Sequence, residues 1–464
     1  MIELKNVSFC YEDSKNGVTN INLQIQSGEC VVLTGPSGGG KTTITRIING
    51  LIPGFYQGEL HGQIFLNEEK ISDLPVYKVG EKVGSIFQNP KSQFFSSDLK
   101  GEVAFACENY GFSNDEIRER TEKSIDVFNL THLEKNSLDT LSSGEKQRVA
   151  VASVYALNPN VYVCDEPTSN LDNDGIVILL NTLKKLKEEG KTLIIAEHRL
   201  SWLIEIADRY FYVSNGTIHW EKTPMQMTDL AASDIEKYGL RSLDNKIEIS
   251  NCNNSHSNNI SLFTKKLSFK KKNKTIFHNQ NIQLLKGEIT ALIGSNGIGK
   301  SSLAMVLTGL QHQNNGEIFI EKRKASARKR RKTIWYSAND TSTQFFTNSV
   351  TEELLLNAKH TNEMLEKARS LLKTLCLYEY KDVHPATLSG GQKQRLSIAC
   401  GILSEREIMI FDEPTSGLDG KNMRIIADVL RKISTKDNIT ILVITHDMEF
   451  SNLVADNYIT LEKS

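Results

Sequence analysis

The sequence predicts an α/β fold that occurs twice within one chain of 464 residues. Three observations lead to this prediction. Each half has a glycine-rich loop between an apolar strand and a helix, each has an apolar strand that ends in Asp-Glu, and the same order of elements recurs in both halves. The repeat is much longer than the roughly 20–50 residues of a solenoid repeat, so it indicates a duplicated domain.

The boundary between the halves is predicted at residues 242–260, which leaves a first domain at 1–241 and a second at 261–464. This boundary segment, SLDNKIEISNCNNSHSNNI, is rich in Asn and Ser and poor in apolar residues. Such a composition is typical of a flexible linker. Across the whole chain 39% of the residues are hydrophobic, which is enough to bury an ordinary core in each domain.

Charge and composition exclude several classes of protein. The chain has 55 Lys and Arg against 56 Asp and Glu, so its net charge of −1 draws it to neither nucleic acid nor an anionic membrane. No apolar run approaches the roughly 20 residues that span a bilayer, so a membrane role needs a separate partner. The local exception is KRKASARKRRK at 322–332, either a solvated surface or a patch that faces an anion or a membrane.

The glycine-rich loops predict phosphate binding. GPSGGGKTT at 35–43 follows the apolar strand CVVLT, and GSNGIGKSS at 294–302 follows ITALI. Glycines let backbone N–H groups turn toward phosphate oxygens, the following helix adds its positive end, and the lysine reaches the β and γ phosphates. A single loop of this kind could be a plain strand-to-helix turn, but two copies in the same context favour P-loops.

Two acidic strand ends predict hydrolysis. NVYVCDEPTSNLD and EIMIFDEPTSGLD are apolar strands that end at Asp165-Glu166 and Asp412-Glu413. In this position an aspartate can support Mg²⁺ and the next carboxylate can polarise a water molecule. An acidic pair at a strand end is usually a solvated turn, but the upstream P-loops and the repeated DEPTS favour a catalytic role.

Two further repeated features complete the pattern. His198 and His446 follow later apolar strands, where an imidazole can hydrogen-bond a γ-phosphate or a water molecule, although a lone histidine is normally structural. LSSGEKQR at 141–148 nearly repeats LSGGQKQR at 388–395. The first copy differs by Ser143 in place of a glycine and Glu145 in place of a glutamine.

Together these motifs resemble two ATP-binding-cassette (ABC) ATPase domains in tandem, and the resemblance covers nearly the whole chain outside the linker. It implies two P-loop NTPase folds, each with a mixed sheet core and a helical subdomain, with ATP and Mg²⁺ as cofactors. In that family the LSGGQ-like signature of one domain contacts the ATP on the P-loop of the other. The two cassettes would therefore pair within the chain and form two composite sites.

The resemblance also assigns roles to individual residues. Catalytic roles fall to Gln88, Glu166, His198, Glu413 and His446. Mg²⁺ binding falls to Thr42, Gln88, Asp165, Ser301 and Asp412. ATP binding falls to Tyr11, Gly35, Ser37, Gly38, Gly40, Lys41, Thr42, Thr43, Ser142, Gly144, Gly294, Asn296, Gly297, Gly299, Lys300, Ser301, Ser302, Ser389, Gly390, Gly391 and Gln392.

The two composite sites are predicted to be unequal. The first P-loop would be closed by the second signature, which fits the family pattern. The second P-loop would be closed by the altered signature, and its cassette has Asn339 and Lys271 where the first has Gln88 and the adenine-stacking Tyr11. We therefore expect the first site to be the main hydrolytic site and the second to be weaker or mainly structural. Neutral variation is the alternative explanation.

Two segments resemble the ATPases of energy-coupling-factor (ECF) importers of vitamins or transition metals. GLIPGFYQGELHGQI is similar to a segment of fused members of that group. QNPKSQFF and NDTSTQFF place Gln93 and Gln344 where that group has an extra glutamine near the surface that couples to the membrane. About half of the phenylalanines that follow are expected to be core residues.

The ECF resemblance implies an integral membrane scaffold subunit and a solute-binding membrane subunit as partners. It places the chain at the cytoplasmic face of the cell membrane, with no nucleic acid partner. A fused sugar-importer ATPase and a soluble ribosome-associated ABC protein are the alternatives. The former should lack the Gln-Phe-Phe segments, and the latter should have a long charged helical linker. The sequence does not reveal the transported solute.

Overall fold

The computed structural model describes residues 1–12, 16–169, 171–243, 259–271, 274–341, 344–356 and 361–461. The chain divides into two compact units, Met1–Asp244 and Asn245–Ser464. Each unit contains an antiparallel sheet, a sheet built mainly or wholly of parallel strands, and helices between the strands. Among the described residues, none of the helices combines the length and the hydrophobicity that crossing a bilayer requires.

The strands of the first unit form two sheets. They are β1 (Ile2–Tyr11), β2 (Gly17–Ile25), β3 (Cys30–Thr34), β4 (Gly58–Leu66), β5 (Glu69–Lys70), β6 (Val83–Ile86), β7 (Val161–Asp165), β8 (Thr192–Ala196), β9 (Arg209–Ser214) and β10 (Thr217–Lys222). The antiparallel sheet has the order β2-β1-β4-β5, and the second sheet has the order β10-β9-β3-β8-β7-β6. Only the β9–β10 pair of the second sheet is antiparallel, so this sheet is mixed, as the sequence predicted.

The helices of the first unit are α1 (Lys41–Ile48), α2 (Leu51–Gly54), α3 (Val76–Gly80), α4 (Leu99–Asn109), α5 (Asn114–Val127), α6 (Ser143–Ala156), α7 (Asn173–Glu188), α8 (Pro224–Thr228) and α9 (Ala232–Lys237). Capping boxes begin α5 at Ser113 and α6 at Ser142, where serine and glutamate satisfy N–H groups that a helix start leaves unpaired. Helices α4, α5 and α6 pack on one another between β6 and β7 and form the expected helical subdomain.

The second unit repeats this layout. Its strands are β11 (Ile260–Lys271), β12 (Lys274–Gln280), β13 (Gln283–Leu285), β14 (Ile289–Ile293), β15 (Asn315–Ile320), β16 (Arg323–Lys324), β17 (Ile334–Ser337), β18 (Ile408–Asp412), β19 (Thr440–Ile444) and β20 (Asn457–Thr460). The antiparallel sheet has the order β12-β11-β15-β16, with β13 also paired to β11. The parallel sheet has the order β17-β18-β19-β14-β20.

The helices of the second unit are α10 (Lys300–Thr308), α11 (Ala327–Thr333), α12 (Val350–Leu355), α13 (Asn362–Thr374), α14 (Gly390–Leu403), α15 (Gly420–Asp437) and α16 (Met448–Val454). The basic run at 322–332 covers β16 and most of α11, so it is not a single solvated surface. Arg330 is buried and donates to the carbonyl of Ala325, and Arg331 donates to the carbonyl of Gly309 at the end of α10. These two arginines hold local structure together, while Arg328 is exposed.

The predicted linker at 242–260 overlaps both folded units at its ends. Leu243 packs against the core of the first unit, and Ile260 is the first residue of β11. Residues 244–258 lie outside the described residues.

The parallel strands bring the motif residues of each unit together. In the first unit β3 leads into the glycine-rich loop, β7 ends at Asp165, and β8 ends two residues before His198. Since β3, β8 and β7 are adjacent and parallel, their carboxyl ends meet at one edge of the sheet. Ligands of parallel α/β sheets bind at that edge, so the fold itself positions the candidate site.

Candidate functional site

The first glycine-rich loop can only be built with glycine at its key positions. Gly35 has a φ of 133°, and a Cβ there would lie 2.1 Å from the carbonyl oxygen of Val213. Gly40, the residue before α1, has a φ of 110°, and a Cβ there would lie 2.9 Å from Val18 Cγ1. These conformations curl the loop around the start of α1, where unpaired N–H groups favour an anion.

The lysines of the two loops lie buried within them. Lys41 Nζ donates to the carbonyls of Gly35 and Pro36 at 3.0 and 2.9 Å. Lys300 Nζ donates to Gly294 at 2.6 Å and to the next carbonyl at 3.1 Å. A buried ammonium group at a helix start concentrates positive charge in each loop, which suits a polyphosphate.

A hydroxyl and a carboxylate of the first unit lie where Mg²⁺ is expected. Thr42 Oγ1 donates to Asp165 Oδ1 at 3.1 Å. Burial and the neighbouring charge of Glu166 raise the pKa of Asp165 to about 6, against the opposing effect of the Thr42 hydrogen bond. A buried carboxylate that resists ionisation gains stability from a cation, and both ligand atoms are the hard oxygens that Mg²⁺ prefers. The residues present therefore fit Mg²⁺ held jointly with nucleotide phosphates.

The second unit has the matching pair with one addition. The Ser301 side chain hydrogen-bonds Asp412, and Tyr336 Oη donates to Asp412 Oδ2 at 3.1 Å. Burial is the main cause that raises the pKa of Asp412 to about 6. The residue of the first unit that matches Tyr336 in strand register is Ser85, so this phenol donor is specific to the second unit.

In the first unit Glu166 meets the two other predicted catalytic residues. Gln88 Nε2 donates to Glu166 Oε2 at 2.9 Å, and His198 Nε2 lies 3.4 Å from Oε1. His198 Nε2 also lies 3.5 Å from the hydroxyl of Ser37 in the glycine-rich loop. The Glu166 backbone has a φ of 45°, which turns the carboxylate out of the β7 direction. The predicted glutamine, glutamate and histidine thus form one cluster beside the loop.

In the second unit Glu413 has different partners. His446 Nδ1 lies 2.8 Å from Glu413 Oε1, and Thr445 Oγ1 donates to Oε2 at 3.2 Å. The glutamate side chain is 8% exposed, compared with 17% for Glu166. Among the described residues, the buried Nε2 of His446 has no hydrogen-bond partner. Asn339, which matches Gln88, is exposed.

The two signatures differ in the state of their serine hydroxyl. Ser142 Oγ donates to Glu145 Oε2 at 2.8 Å, and Ser142 N donates to the same oxygen at 2.7 Å. In the other signature Ser389 N donates to the side-chain oxygen Oε1 of Gln392, and Ser389 Oγ accepts from the backbone N–H of Gln392. An ionised carboxylate can only accept hydrogen bonds, so the Ser142 hydroxyl is the donor and its hydrogen points at Glu145.

The charge of Glu145 is stabilised where it lies. Partial burial acts to raise the pKa of its carboxyl, but hydrogen bonds from the backbone amide and hydroxyl of Ser142 outweigh burial and leave the pKa below its usual value. Glu145 is therefore an anion at neutral pH. The altered signature therefore carries a negative charge, and its Ser142 hydroxyl already donates to that charge. In the other signature Ser389 caps α14 and is followed by Gly390, Gly391 and the uncharged amide of Gln392.

The predicted adenine-stacking residue belongs to a cluster of the first unit. Tyr11 Oη lies 3.3 Å from Thr43 Oγ1 and accepts a hydrogen bond from Arg46 at 3.1 Å. The Arg46 guanidinium lies 4.0 Å from the ring centre of Tyr56. Lys271, at the matching position of the second unit, is exposed at the end of β11. At this position, among the described residues, the first unit has an aromatic ring beside its glycine-rich loop and the second unit has a lysine.

The Gln-Phe-Phe segments combine structural and exposed residues. Gln93 accepts from the N–H of Phe87 and donates to the carbonyl of Ser85, and Gln344 accepts from the Ser397 hydroxyl. Both glutamines therefore fasten their segments to their own unit. The first phenylalanine of each pair, Phe94 and Phe345, packs against a core. The expectation that about half of the four phenylalanines are core residues is confirmed.

The second phenylalanine of each pair is exposed, on a loop that backbone hydrogen bonds to a glutamate hold in place. Phe95 is 73% exposed and Phe346 is 80% exposed. The N–H groups of Phe95 and the next residue donate to buried Glu102 at 2.8 and 2.9 Å. Buried Glu353 accepts from Phe346 and the next residue at the same two distances. In each unit a buried carboxylate thus holds the loop in a conformation that exposes one apolar ring to solvent.

Sequence reasoning missed several residues that the structure brings to the site. Arg46 hydrogen-bonds Tyr11, and no motif in the sequence marked it as a site residue. Glu197 and Asp447 are buried beside the histidines and bond the threonine of each DEPTS motif. A signal for these two was present, because a carboxylate precedes the histidine in AEHR and follows it in THDM.

The fold and these clusters define a class of protein. A phosphate-binding loop, an Asp-Glu pair and a histidine meet at the ends of parallel strands, and the set is present in both units. This is the architecture of a P-loop ATPase with two nucleotide-binding domains.

Comparison with known proteins identifies the family. The family model described as ABC transporter matches residues 18–169 and 277–416, more than half of the chain. A Treponema denticola protein, provisionally named as an ABC transporter ATP-binding protein, is 38% identical over 99% of this chain and 95% of its own length. The Bacillus subtilis protein YkoD, provisionally named for HMP/thiamine import, is 30% identical over 99% of this chain and 90% of its own.

A solved structure supports the fold. The model of ribosome-bound archaeal Pelota and ABCE1 contains a chain with a TM-score of 0.70 and 20% identity, over 98% of this chain and 76% of that one. The protein belongs to the ABC transporter family. It is a tandem ABC ATPase, and it binds ATP with Mg²⁺ as this family does.

We expect Asp412→Asn to stabilise the Mg²⁺-free protein at about pH 8. Because burial raises the pKa of Asp412 to about 6, the folded chain loses stability as the pH rises from about 4 through about 6. Asparagine cannot ionise, so its advantage is on the order of 3 kcal/mol above pH 6 and vanishes below about pH 4. Thermal unfolding in EDTA, at each pH, measures this difference in stability between Asp412→Asn and wild type.

The matched control for this prediction is Asp428→Asn, because Asp428 is exposed on α15. This control should leave the melting temperature unchanged at both pH values. Mg²⁺-ATP should stabilise the wild type more than Asp412→Asn. Equal melting temperatures of wild type and Asp412→Asn in EDTA at about pH 8 would contradict the electrostatic account.

Proposed function

We propose that this protein is the ATPase subunit of an ECF-type importer and that its first P-loop carries most of the turnover. It lies at the cytoplasmic face of the membrane with an integral scaffold subunit and a solute-binding subunit. Two Mg²⁺-ATP molecules draw the cassettes together, hydrolysis releases them, and the motion passes to the membrane subunits. The observation that carries the importer proposal is the pair of exposed phenylalanines, Phe95 and Phe346, on loops that buried glutamates hold in place.

Three findings support the importer part. Members of the family work with membrane subunits, and the name of YkoD assigns import of HMP or thiamine to that relative. Phe95 and Phe346 follow the strands that lead to Gln88 and Asn339, so a partner that packs on either ring touches a segment close to the nucleotide site. The proposal favours a vitamin as the solute, by analogy with that relative.

The mechanism at the first site follows from its own side chains. Lys41 and the N–H groups of the loop bind the phosphates, and Tyr11 provides a face for the base. Glu166 accepts the proton of the attacking water or polarises it, while Gln88 and His198 orient that water and the γ-phosphate. Mg²⁺, when bound by Thr42 and Asp165, offsets negative charge on the phosphates.

The asymmetry part is supported by the altered signature. In a composite site the Ser142 hydroxyl would face the γ-phosphate on the second P-loop. Glu145 already engages that hydroxyl, and its own charge repels a phosphate. The second site also has Asn339 and Lys271 in place of Gln88 and Tyr11. We therefore assign nucleotide retention to the second site and turnover to the first.

Glu166→Gln should lower steady-state ATP hydrolysis by about 10²–10⁴-fold, because it removes the general base of the more active site. Glu413→Gln should lower the rate of ATP hydrolysis much less. Ser389→Ala should resemble Glu166→Gln, because each variant damages the same composite site, and Ser142→Ala should resemble Glu413→Gln. The assay is ATP hydrolysis and solute uptake by the full complex in lipid vesicles. Equal losses from the two glutamine variants would leave two equivalent sites and refute the asymmetry.

Phe95→Ser combined with Phe346→Ser should release the protein from its membrane subunits. Removing two exposed apolar rings from a contact surface lowers affinity by about tenfold or more, while basal ATPase activity stays near that of wild type. Copurification in mild detergent measures the association. The matched control is Met225→Ser, since Met225 is 74% exposed and lies outside these loops.

The same experiment separates the importer from its alternatives. Recovery of the integral membrane subunits with wild type and with Met225→Ser, but not with the double serine variant, supports the proposal. A protein that sediments with ribosomes and recovers no integral membrane protein would show that the importer proposal is wrong.

A further inference from the structure

A buried carboxylate holds the threonine that follows each Asp-Glu pair, but it comes from opposite sides of the histidine in the two units. Thr168 Oγ1 donates to Glu197 Oε2 at 2.6 Å. In the second unit Thr415 Oγ1 donates to Asp447 Oδ2 at 2.8 Å. Glu197 is the residue before its histidine, and Asp447 is the residue after its own. The contact has been kept while its sequence position has moved by two residues.

Each of these carboxylates also organises the histidine loop. Glu197 is 3% exposed, and its Oε1 accepts from the backbone N–H groups of His198 at 2.7 Å and Arg199 at 3.2 Å. Asp447 is 5% exposed and accepts from the N–H of Phe450. A buried carboxylate is tolerated only with such donors, so each one links the DEPTS turn firmly to the histidine loop.

The linked segments are those that carry the proposed catalytic groups. Thr168 is two residues after Glu166, and His198 is next to Glu197. The N–H of Glu166 donates to the carbonyl of Ala196, the residue before Glu197, at 2.8 Å. The bonds from Thr168 and His198 end on Glu197, and the bond from Glu166 ends on the neighbouring residue, so together they hold His198 Nε2 3.4 Å from Glu166 Oε1.

We infer that Glu197 is a positioning residue of the first ATPase site and performs there the function of Asp447 in the second. It holds the turn after Glu166 against the histidine loop and so fixes His198 beside Glu166. This inference rests on the proposed catalytic role of Glu166. A role in stability alone is the competing explanation, because burial of the carboxylate and the nearby charge of Glu166 both raise the pKa of Glu197 and mark a site where charge is unfavourable.

The residues on either side of His446, a threonine before it and an aspartate after it, suggest the variants that test this inference. Glu197→Thr removes the acceptor for Thr168 and places there the residue type found at 445. Glu197→Thr combined with Arg199→Asp restores a carboxylate from the other side of His198. The full-length chain is assayed with Mg²⁺-ATP, once with Glu413 intact and once with Glu413→Gln to isolate the first site. Thermal unfolding of every variant is measured in parallel.

The single variant should lower kcat by about tenfold or more with KM changed by no more than about twofold, because the phosphate loop is intact while the catalytic groups are misplaced. The double variant should recover kcat to within about threefold of the parent. Asp447→Asn, tested with Glu166→Gln in place, should lower the residual turnover of the second site in the same way.

Two results would overturn the inference. One is an unchanged kcat in Glu197→Thr at temperatures where that variant is folded. The other is a double variant whose melting temperature recovers while its kcat stays as low as that of the single variant. The unequal sites of the proposed function are tested separately, because Glu166→Gln and Glu413→Gln address them without altering Glu197.

Discussion

Three carboxylates withdrawn from solvent at the ends of the parallel strands are the constraint on which each unit depends. In the first unit they are the partly buried Asp165 and Glu166 and the fully buried Glu197, and each needs a hydrogen-bond donor to remain there. Thr42, Gln88 and Thr168 provide donors from three different segments. The phosphate loop, the segment that follows β6 and the DEPTS turn are thus held together by one electrostatic requirement, to which bound Mg²⁺ and nucleotide would also contribute.

The sequence was sufficient where the determining residues are contiguous. The P-loops, the DEPTS strands and the signature helices were predictable because strand pattern, glycine placement and capping act over a few residues. The Ser-x-x-Glu spacing of Ser142 and Glu145 is itself a capping-box pattern, so the occupied hydroxyl was within reach of sequence reasoning. Contacts such as Gln88 with Glu166, 78 residues apart, needed the fold. Nor could a count of charges separate buried Arg330 from exposed Arg328.

Duplication explains how the two units came to differ without losing their fold. Each copy keeps the buried core and the strand ends, while the polar groups around its glutamate have been exchanged. Glu197 and Asp447 show that such an exchange can conserve a contact, whereas Glu145 shows one that changes chemistry by adding charge beside a hydroxyl. Under the proposal of unequal sites, a tandem chain can tolerate this divergence, because one fully equipped site would be enough for turnover.

The central claim is that the two nucleotide sites turn over unequally, and trapping tests it most directly. The full complex is incubated with Mg²⁺-ATP and orthovanadate, and the structure of the trapped state is determined. The account predicts ADP with vanadate at the loop of Lys41 and intact ATP at the loop of Lys300. Vanadate at both loops, or only at the loop of Lys300, would contradict it.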